Sequence, residues 1–298
     1  MTKITLLDGA IGQELVARSG DQPTPLWSTR VMIDHPELVG QLHSDYFDAG
    51  ATVATANTYA LHRSSLVRVG LEDEIPALID TALSQAETAR QNNGGGRIAG
   101  ALGPLLATYR PDLNPDPAEA AEKFGELVQL MASRADLFLI ETVSSVQEAE
   151  GVLLATRNCG KPVWIALTVL DDDGSRLRSG EPLGDIHLVI DVYGPDAVLI
   201  NCTRPEAVET SLEIIKAFGR PFGAYANGFT NISDEFLKDA PTVDALEKRV
   251  DLAPDAYAEM VMGWVGQGAT IVGGCCEIGP EHIREIAKRL TEAGHEIV

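Results

Sequence analysis

The chain lacks any uninterrupted apolar stretch long enough to span a bilayer, so no membrane helix is expected. It is also short of basic residues: 23 Lys and Arg stand against 44 Asp and Glu, a net charge of −21 over 298 residues. Such a surface repels polyanions, so neither nucleic acid nor an anionic membrane is expected as a partner. A cationic small molecule remains compatible with it, although acidity more often serves solubility. A signal-type apolar region with a cleavage site is missing too, because Met1-Thr2-Lys3 runs straight into Ile4–Leu7. The expected location is therefore the cytoplasm, where thiols stay reduced. Cysteine is scarce, with only four, and in that compartment they read as metal ligands, nucleophiles or inert core residues before disulfides. What is abundant is core material: 45% hydrophobic residues, as expected of a globular protein.

Short β-rich runs alternate with helical patterns along the whole chain. The candidate strands are Ile4–Leu7, Thr52–Ala54, Arg97–Ala101, Leu137–Ile140, Val163–Val169, Ala197–Ile200, Phe222–Tyr225 and Thr270–Val272. Between them, apolar residues recur at helical spacing, as at Leu38, Leu42, Tyr46 and Ala49, or at Ile283, Ile286, Ala287 and Leu290. Eight β/α alternations without a domain-sized interruption predict one domain, 1–298, folded as a (β/α)8 TIM barrel. A doubly wound open sheet is disfavoured because the Gly-rich phosphate loop after its first strand is missing. The helix after the fifth strand, within 174–192, is poorly marked. Residues 227–255 form a long connection rich in Asp, Asn and Pro, of the kind that serves as a lid or binding loop. Asn93-Gly94-Gly95-Gly96 reads as a turn at the bottom of the barrel.

Active sites of such barrels sit at the C-terminal ends of the strands. Those ends carry Asp8-Gly9-Ala10, Asn57-Thr58-Tyr59, Gly103-Pro104, Glu141-Thr142, Asn201-Cys202, Ala226-Asn227 and Gly273-Gly274-Cys275-Cys276. Cys202 lies 73 positions before Cys275, yet strands six and eight end at the same rim. Gly273 and Gly274 would let the backbone turn sharply so that both following thiols swing inward, whereas neighbours on a regular strand point to opposite faces. Three thiolates suit Zn²⁺ and leave one tetrahedral position open, the layout of a catalytic zinc. Packing roles remain the alternative for these cysteines, and Cys159 reads as a small core residue.

Taken in order, the Asp8, Asn57, Glu141, Asn201 and Gly273–Cys276 motifs resemble the zinc-dependent homocysteine S-methyltransferases, from about Leu7 to Leu290. The cysteine pair followed by Pro280-Glu281-His282-Ile283 is the most specific part. The resemblance implies a barrel in which Cys202, Cys275 and Cys276 bind Zn²⁺ and the metal binds the homocysteine sulfur, making these cysteines the catalytic centre. Asp8 and Glu141 would hold the α-amino group, with Gly9 and Asn201 in the same substrate-binding motifs. Tyr59 matches a tyrosine that can fill the open metal position before substrate arrives. Glu277 departs from the pattern, since relatives commonly have Gly or another residue there.

The other substrate would be a cationic methyl donor. Leu26-Trp27-Ser28 with His35-Pro36-Glu37-Leu38 resembles the S-methylmethionine-using members, and an aromatic face at Trp27 would attract a sulfonium. A half-buried packing role for Trp27 is the alternative. Thr142 stands where betaine enzymes carry a tyrosine, and their C-terminal extension is missing, so betaine is disfavoured; a corrinoid donor is disfavoured further because no folate or cobalamin domain follows Val298. A sulfonium donor, S-methylmethionine or S-adenosylmethionine, is expected. Rival readings are methylation of another thiol or selenol such as selenocysteine, and a barrel that binds zinc or an amino acid without turnover. Trp264, at helical spacing with Tyr257 and Val261, reads as core.

Overall fold

The computed structural model describes residues 1–22, 24–233, 236–237 and 246–298. Its strands are β1 Lys3–Leu6, β2 Val53–Thr55, β3 Arg97–Leu102, β4 Leu137–Val143, β5 Val163–Leu167, β6 Ala197–Asn201, β7 Phe222–Ala226, β8 Ile271–Gly274 and β9 Glu296–Ile297. Among the described residues the α-helices are α1 Gly12–Ser19, α2 Trp27–Asp34, α3 Pro36–Asp48, α4 Arg63–Leu66, α5 Ile75–Asn93, α6 Pro117–Met131, α7 Val146–Thr156, α8 His187–Tyr193, α9 Pro205–Ile215, α10 Pro254–Gln267 and α11 Pro280–Glu292.

The strands pair in the order β2-β3-β4-β5-β6-β7-β8-β1-β9. All the pairings are parallel, from Val53↔Arg97 to Thr5↔Ile271. The sheet meets itself: Leu7 bridges Val53, and the Thr52 N–H donates to the Leu6 carbonyl at 2.7 Å. The eightfold β/α barrel expected from the alternation is the architecture found. Strand β9 was not expected; it adds to the edge of β1 below the point where β2 takes over.

Strand alternation divides the apolar residues into two layers. Leu7, Val53, Ala99, Leu137, Leu139, Ala166, Leu199, Tyr225 and Ile271 fill the barrel interior, while Ile4, Leu6, Phe138, Ile140, Val198 and Ile200 face the helices. Proline at the first turn starts α3, α5, α6, α9, α10 and α11, where its missing N–H is not needed. The Gly94 turn caps α5 at φ 77° below β3, as read from its sequence.

Three expectations shift. Strand β4 runs on to Val143 through a change of register after Ile140, so Glu141 and Thr142 lie inside it. Strand β5 stops at Leu167 rather than Val169, and the following connection folds back with Val169 bridging Leu177. The helix within 174–192 is short, and its Leu188 and Val192 are 73% and 67% exposed, so it carries no one-sided apolar pattern to detect. The ends of the 227–255 connection form a ribbon, with Phe229 bridging Lys248 and the Arg249 N–H donating to Gly228 at 2.8 Å. Residues 234–235 and 238–245, on which part of the lid expectation falls, lie outside the described residues.

Trp264 is core as expected, meeting Tyr257 edge-on at 5.9 Å. Tyr257 does more. Its fully buried hydroxyl accepts from the Ala226 N–H and donates to the Gly273 carbonyl, both at 2.9 Å, tying α10 to the ends of β7 and β8. Tyr257→Phe strands both groups away from water, so chemical denaturation should show a loss of about 1–3 kcal/mol with an unchanged m-value.

Candidate active site at the mouth of the barrel

Strand parity aims the site. Glu141 continues the inward series of Leu137 and Leu139 on β4, and Cys275 continues that of Ile271 and Gly273 on β8. Asn201 continues the inward series of Ala197 and Leu199 on β6, which places Cys202 on the wrong parity. A backbone φ of +49° at Cys202 turns its thiol inward instead. Cys276 is brought round by a turn: the Ile278 N–H donates to the Cys275 carbonyl at 3.1 Å, with Glu277 at φ 66° in the third position. That is the type II pattern, which ordinarily calls for Gly there. The departure at Glu277 is therefore first a matter of backbone strain; its carboxylate pairs with Lys248 at 3.0 Å.

Gly273 and Gly274 serve a different purpose from a sharp turn. Neither has a positive φ. A Cβ on Gly273 would lie 2.6 Å from Leu7 Cβ, and one on Gly274 would lie 2.2 Å from Ile278 Cγ2. They let β8 press against β1 and the following turn. Gly9 is the counterpart on β1, where a Cβ would meet the Ile278 carbonyl at 2.0 Å.

The result is a cavity of about 110 Å³ lined by Cys202, Cys275, Cys276, Asp8, Gly9, Glu141, Tyr59 and Trp27, among others. Cys202 and Cys275 sulfurs are 2.9 Å apart, Cys275 and Cys276 sulfurs 3.9 Å, and all three lie within 4.8 Å of one another. Zinc–sulfur bonds of about 2.3 Å at tetrahedral angles place sulfurs about 3.8 Å apart, so the trio needs only a small opening between Cys202 and Cys275 to take the ion. The electrostatics agree. Hydrogen bonds from Cys275 and Cys276 hold the Cys202 thiol well below its usual range, and those same bonds and the buried charge hold the other two well above theirs. Without a cation only one thiolate is comfortable; a metal ion held between them would let all three coexist. Among the described residues no other group of His, Cys, Asp or Glu converges in this way.

Two carboxyls face the same space. Asp8, 3% exposed, accepts from the Thr55 N–H at 2.6 Å and the Thr55 hydroxyl at 2.7 Å, and burial raises its pKa to about 7. Glu141 accepts from the Tyr225 hydroxyl at 3.0 Å; burial, with the Cys202 charge adding to it, raises its pKa to about 8. Among the described residues no Lys or Arg lines the cavity to offset them.

Asn201 does not line the cavity. It is fully buried, its Oδ1 accepting from the Thr142 N–H at 3.0 Å and its Nδ2 donating to the Thr142 hydroxyl at 3.3 Å. It thereby holds the residue after Glu141 at φ 63°. Tyr59 directs its hydroxyl to Thr108 at 3.0 Å. Trp27 starts α2 at φ 49° with its ring 5.6 Å from that of Phe236. Cys159 lies apart from the site, half-buried, with its sulfur 3.5 Å from the Lys161 carbonyl.

Sequence reasoning missed Tyr225, Thr55 and Tyr109. Tyr225 shares the inward parity of β7 and was detectable on that ground. Tyr109 was not, because it lies seven positions beyond the end of β3, at φ 63°, with the Arg178 guanidinium 5.0 Å above its ring.

Asp8 supplies a test that needs no ligand. Its folded-state pKa is raised from 3.8 to about 7, so the folded protein holds this proton more tightly than the unfolded chain. Ionising it then subtracts stability progressively between pH 4 and 7. Asp8→Asn keeps both Thr55 partners without a charge. Its melting temperature should exceed wild type above pH 7, by at most about 4 kcal/mol in stability, and converge with it near pH 4.

With this geometry in place, the chain can be set beside known proteins. The family model described as homocysteine S-methyltransferase matches residues 5–290. Homocysteine S-methyltransferase YbgG of Bacillus subtilis (strain 168) is 28% identical, spanning 95% of this chain and 93% of its own. The homocysteine S-methyltransferase of Escherichia coli (strain K12) is 29% identical over 96% and 95%. The selenocysteine methyltransferase of Astragalus bisulcatus is 26% identical over 97% and 93%. The crystal structure of the homocysteine methyltransferase MmuM from Escherichia coli, in its metallated form, has a TM-score of 0.81 and 26% identity over 96% of both chains. A thiol cluster at the barrel mouth, a full-length family match and a common fold lead to one conclusion: the chain belongs to the homocysteine S-methyltransferase family and is a methyltransferase.

Proposed function

We propose that the protein transfers a methyl group from a sulfonium donor, S-methylmethionine or S-adenosylmethionine, to homocysteine held beside Zn²⁺ on Cys202, Cys275 and Cys276. The observation that carries this reading is the convergence of three thiols within 4.8 Å in a cavity that also holds two carboxyls and, among the described residues, no Lys or Arg. The names of the relatives and the metallated form of MmuM point the same way.

A free thiol has a pKa of about 8.5 and is mostly protonated at neutral pH. Cys202, Cys275 and Cys276 would hold the zinc, whose chemistry when bound is to keep an incoming thiol as thiolate. The chain's own groups do the rest. Asp8 and Glu141 would grip the α-ammonium of homocysteine by charge-assisted hydrogen bonds, and its charge would return both raised carboxyls to their ionised forms. Asn201 and Tyr225 position Glu141 for that grip. Tyr59 and Trp27 offer faces to the donor cation. Thiolate meeting sulfonium neutralises charge, so a cavity with little water favours an in-line displacement. Selenocysteine is a second acceptor to assay, given the selenocysteine methyltransferase among the relatives. A cytoplasmic setting, with reduced thiols and small-molecule partners only, suits this chemistry.

Elemental analysis of the purified protein should find about one zinc per chain, lost on Cys276→Ser. A folded, metal-free wild type would sink the reading. Glu141→Ala should keep its zinc and raise the KM for homocysteine by about tenfold or more, the worth of one charge-assisted hydrogen bond. Zinc loss in that variant would assign Glu141 to the metal site instead.

A further inference from the structure

The chain that leaves β5 folds back through the Asp173-Gly174-Ser175 turn, where the Arg176 N–H donates to the Asp173 carbonyl at 3.2 Å and Val169 bridges Leu177. This hairpin carries Arg178 in behind Cys202 and Tyr109, both of which line the thiol chamber. Arg178 Nη2 pairs with Asp171 Oδ1 at 2.6 Å, and the two side chains are only 9% and 16% exposed. From that anchor the guanidinium makes three further contacts. Its Nε donates to the Thr168 hydroxyl at 3.3 Å, its Nη2 donates to the Cys202 carbonyl at 3.5 Å, and its Cζ lies 5.0 Å over the Tyr109 ring. The Thr168 hydroxyl donates in turn to the same Cys202 carbonyl at 3.0 Å. Of the three chamber cysteines, Cys202 alone has a positive φ, and it is this residue whose carbonyl is held both directly and through Thr168.

We propose that Arg178 is a positioning residue for the thiol centre, acting through the backbone of Cys202. A left-handed conformation is costly for a residue other than glycine and persists only while its surroundings impose it. Holding the Cys202 carbonyl fixes the peptide plane beside the thiol-bearing Cα, and so keeps that thiol turned inward, 2.9 Å from the Cys275 sulfur. Cys275 and Cys276 are placed by other means, β8 and the turn that follows it. The role calls for arginine by shape as well as charge. One planar head serves a carboxylate, a hydroxyl, a carbonyl and an aromatic ring together, whereas a lysine ammonium could keep the Asp171 pair but not the rest. Asp171 sets the head in place, and its Oδ2 accepts from the Ile232 N–H at 3.1 Å, which ties the anchor to the start of the 227–255 connection. This role rests on the three cysteines acting as one metal centre.

Two thiol pairs test this without a metal. Dibromobimane, which becomes fluorescent on bridging two thiols, is added to chelator-treated protein, Cys276→Ser for the Cys202–Cys275 pair and Cys202→Ser for the Cys275–Cys276 pair. Adding Arg178→Lys should slow bridging of the first pair roughly tenfold, the worth of one hydrogen bond from a charged group. The second pair should change by less than about twofold, as for an independent site. In the otherwise unchanged chain, Arg178→Lys should weaken zinc retention against a competing chelator by about 10–100-fold, the usual effect of losing a group that orients a ligand. Its melting temperature should stay in place, because the pair with Asp171 survives. Should that variant not fold, Thr168→Val, which removes only the relaying hydroxyl, should give the same split between the two pairs. Equal slowing of both pairs would make Arg178 a general packing residue and overturn the proposal. Wild-type bridging in Arg178→Lys would overturn it too, as would undiminished zinc retention in a chain that holds zinc. If the wild type retains no zinc, the reaction proposed above falls. The bimane comparison still decides Arg178: selective slowing of the Cys202 pair sustains the positioning role, and no selectivity overturns it.

Discussion

Everything at the mouth of this barrel depends on the closure of its sheet. Strand β1 pairs with β8 on one side and meets β2 on the other, through Thr5↔Ile271 and the Leu7–Val53 bridge. That closure puts the ends of all eight barrel strands on one rim, which is how Cys202 comes to touch Cys275 and how Asp8 comes to share a cavity with Glu141. The close approach is itself conditional on Gly9, Gly273 and Gly274, where any side chain would force β1, β8 and the cysteine turn apart. A cluster assembled this way is a property of the whole fold, with no local segment able to form it alone.

The mouth is also where the backbone is strained. Among the described residues the non-glycine positions with positive φ are Trp27, Tyr109, Thr142, Cys202 and Glu277. The first four line the thiol chamber and the fifth closes the cysteine turn. Thr142 is the most demanding, because a β-branched residue is rarely found in the left-handed region. The clamp from Asn201 onto its N–H and hydroxyl offsets that strain. Strain of this kind persists only where surroundings over-determine it, and it marks functional sites. The buried carboxyls follow the same logic. Ionised, Asp8 and Glu141 reduce the stability of the ligand-free protein, a loss that the cationic ligand proposed for them would convert into affinity.

Charge at the mouth follows position as well. Among the described residues that line the thiol chamber, Asp8 and Glu141 stand beside three thiols with no Lys or Arg. A net charge of −21 gives no hint of this grouping, because the two carboxyls responsible are two among 44 acidic residues.

Much of this protein was legible in its residues alone. Periodicity gave the eight barrel strands and the closed barrel, and the residues at the strand ends named Asp8, Glu141, Cys202, Cys275 and Cys276, because a strand's last residues must lie on the rim whatever the helices do. Tertiary structure decided what alternation cannot. The φ of +49° at Cys202 reverses its facing, the turn through Glu277 brings Cys276 round, and Asn201 is drawn away from the cavity to hold Thr142. It also decided the role of Gly273 and Gly274 and the contribution of Tyr109. The division has one physical reason. Strand position follows from hydrophobic burial, which is written along the chain, whereas side-chain direction at a strained rim is set by hydrogen bonds and close contacts between segments distant in sequence.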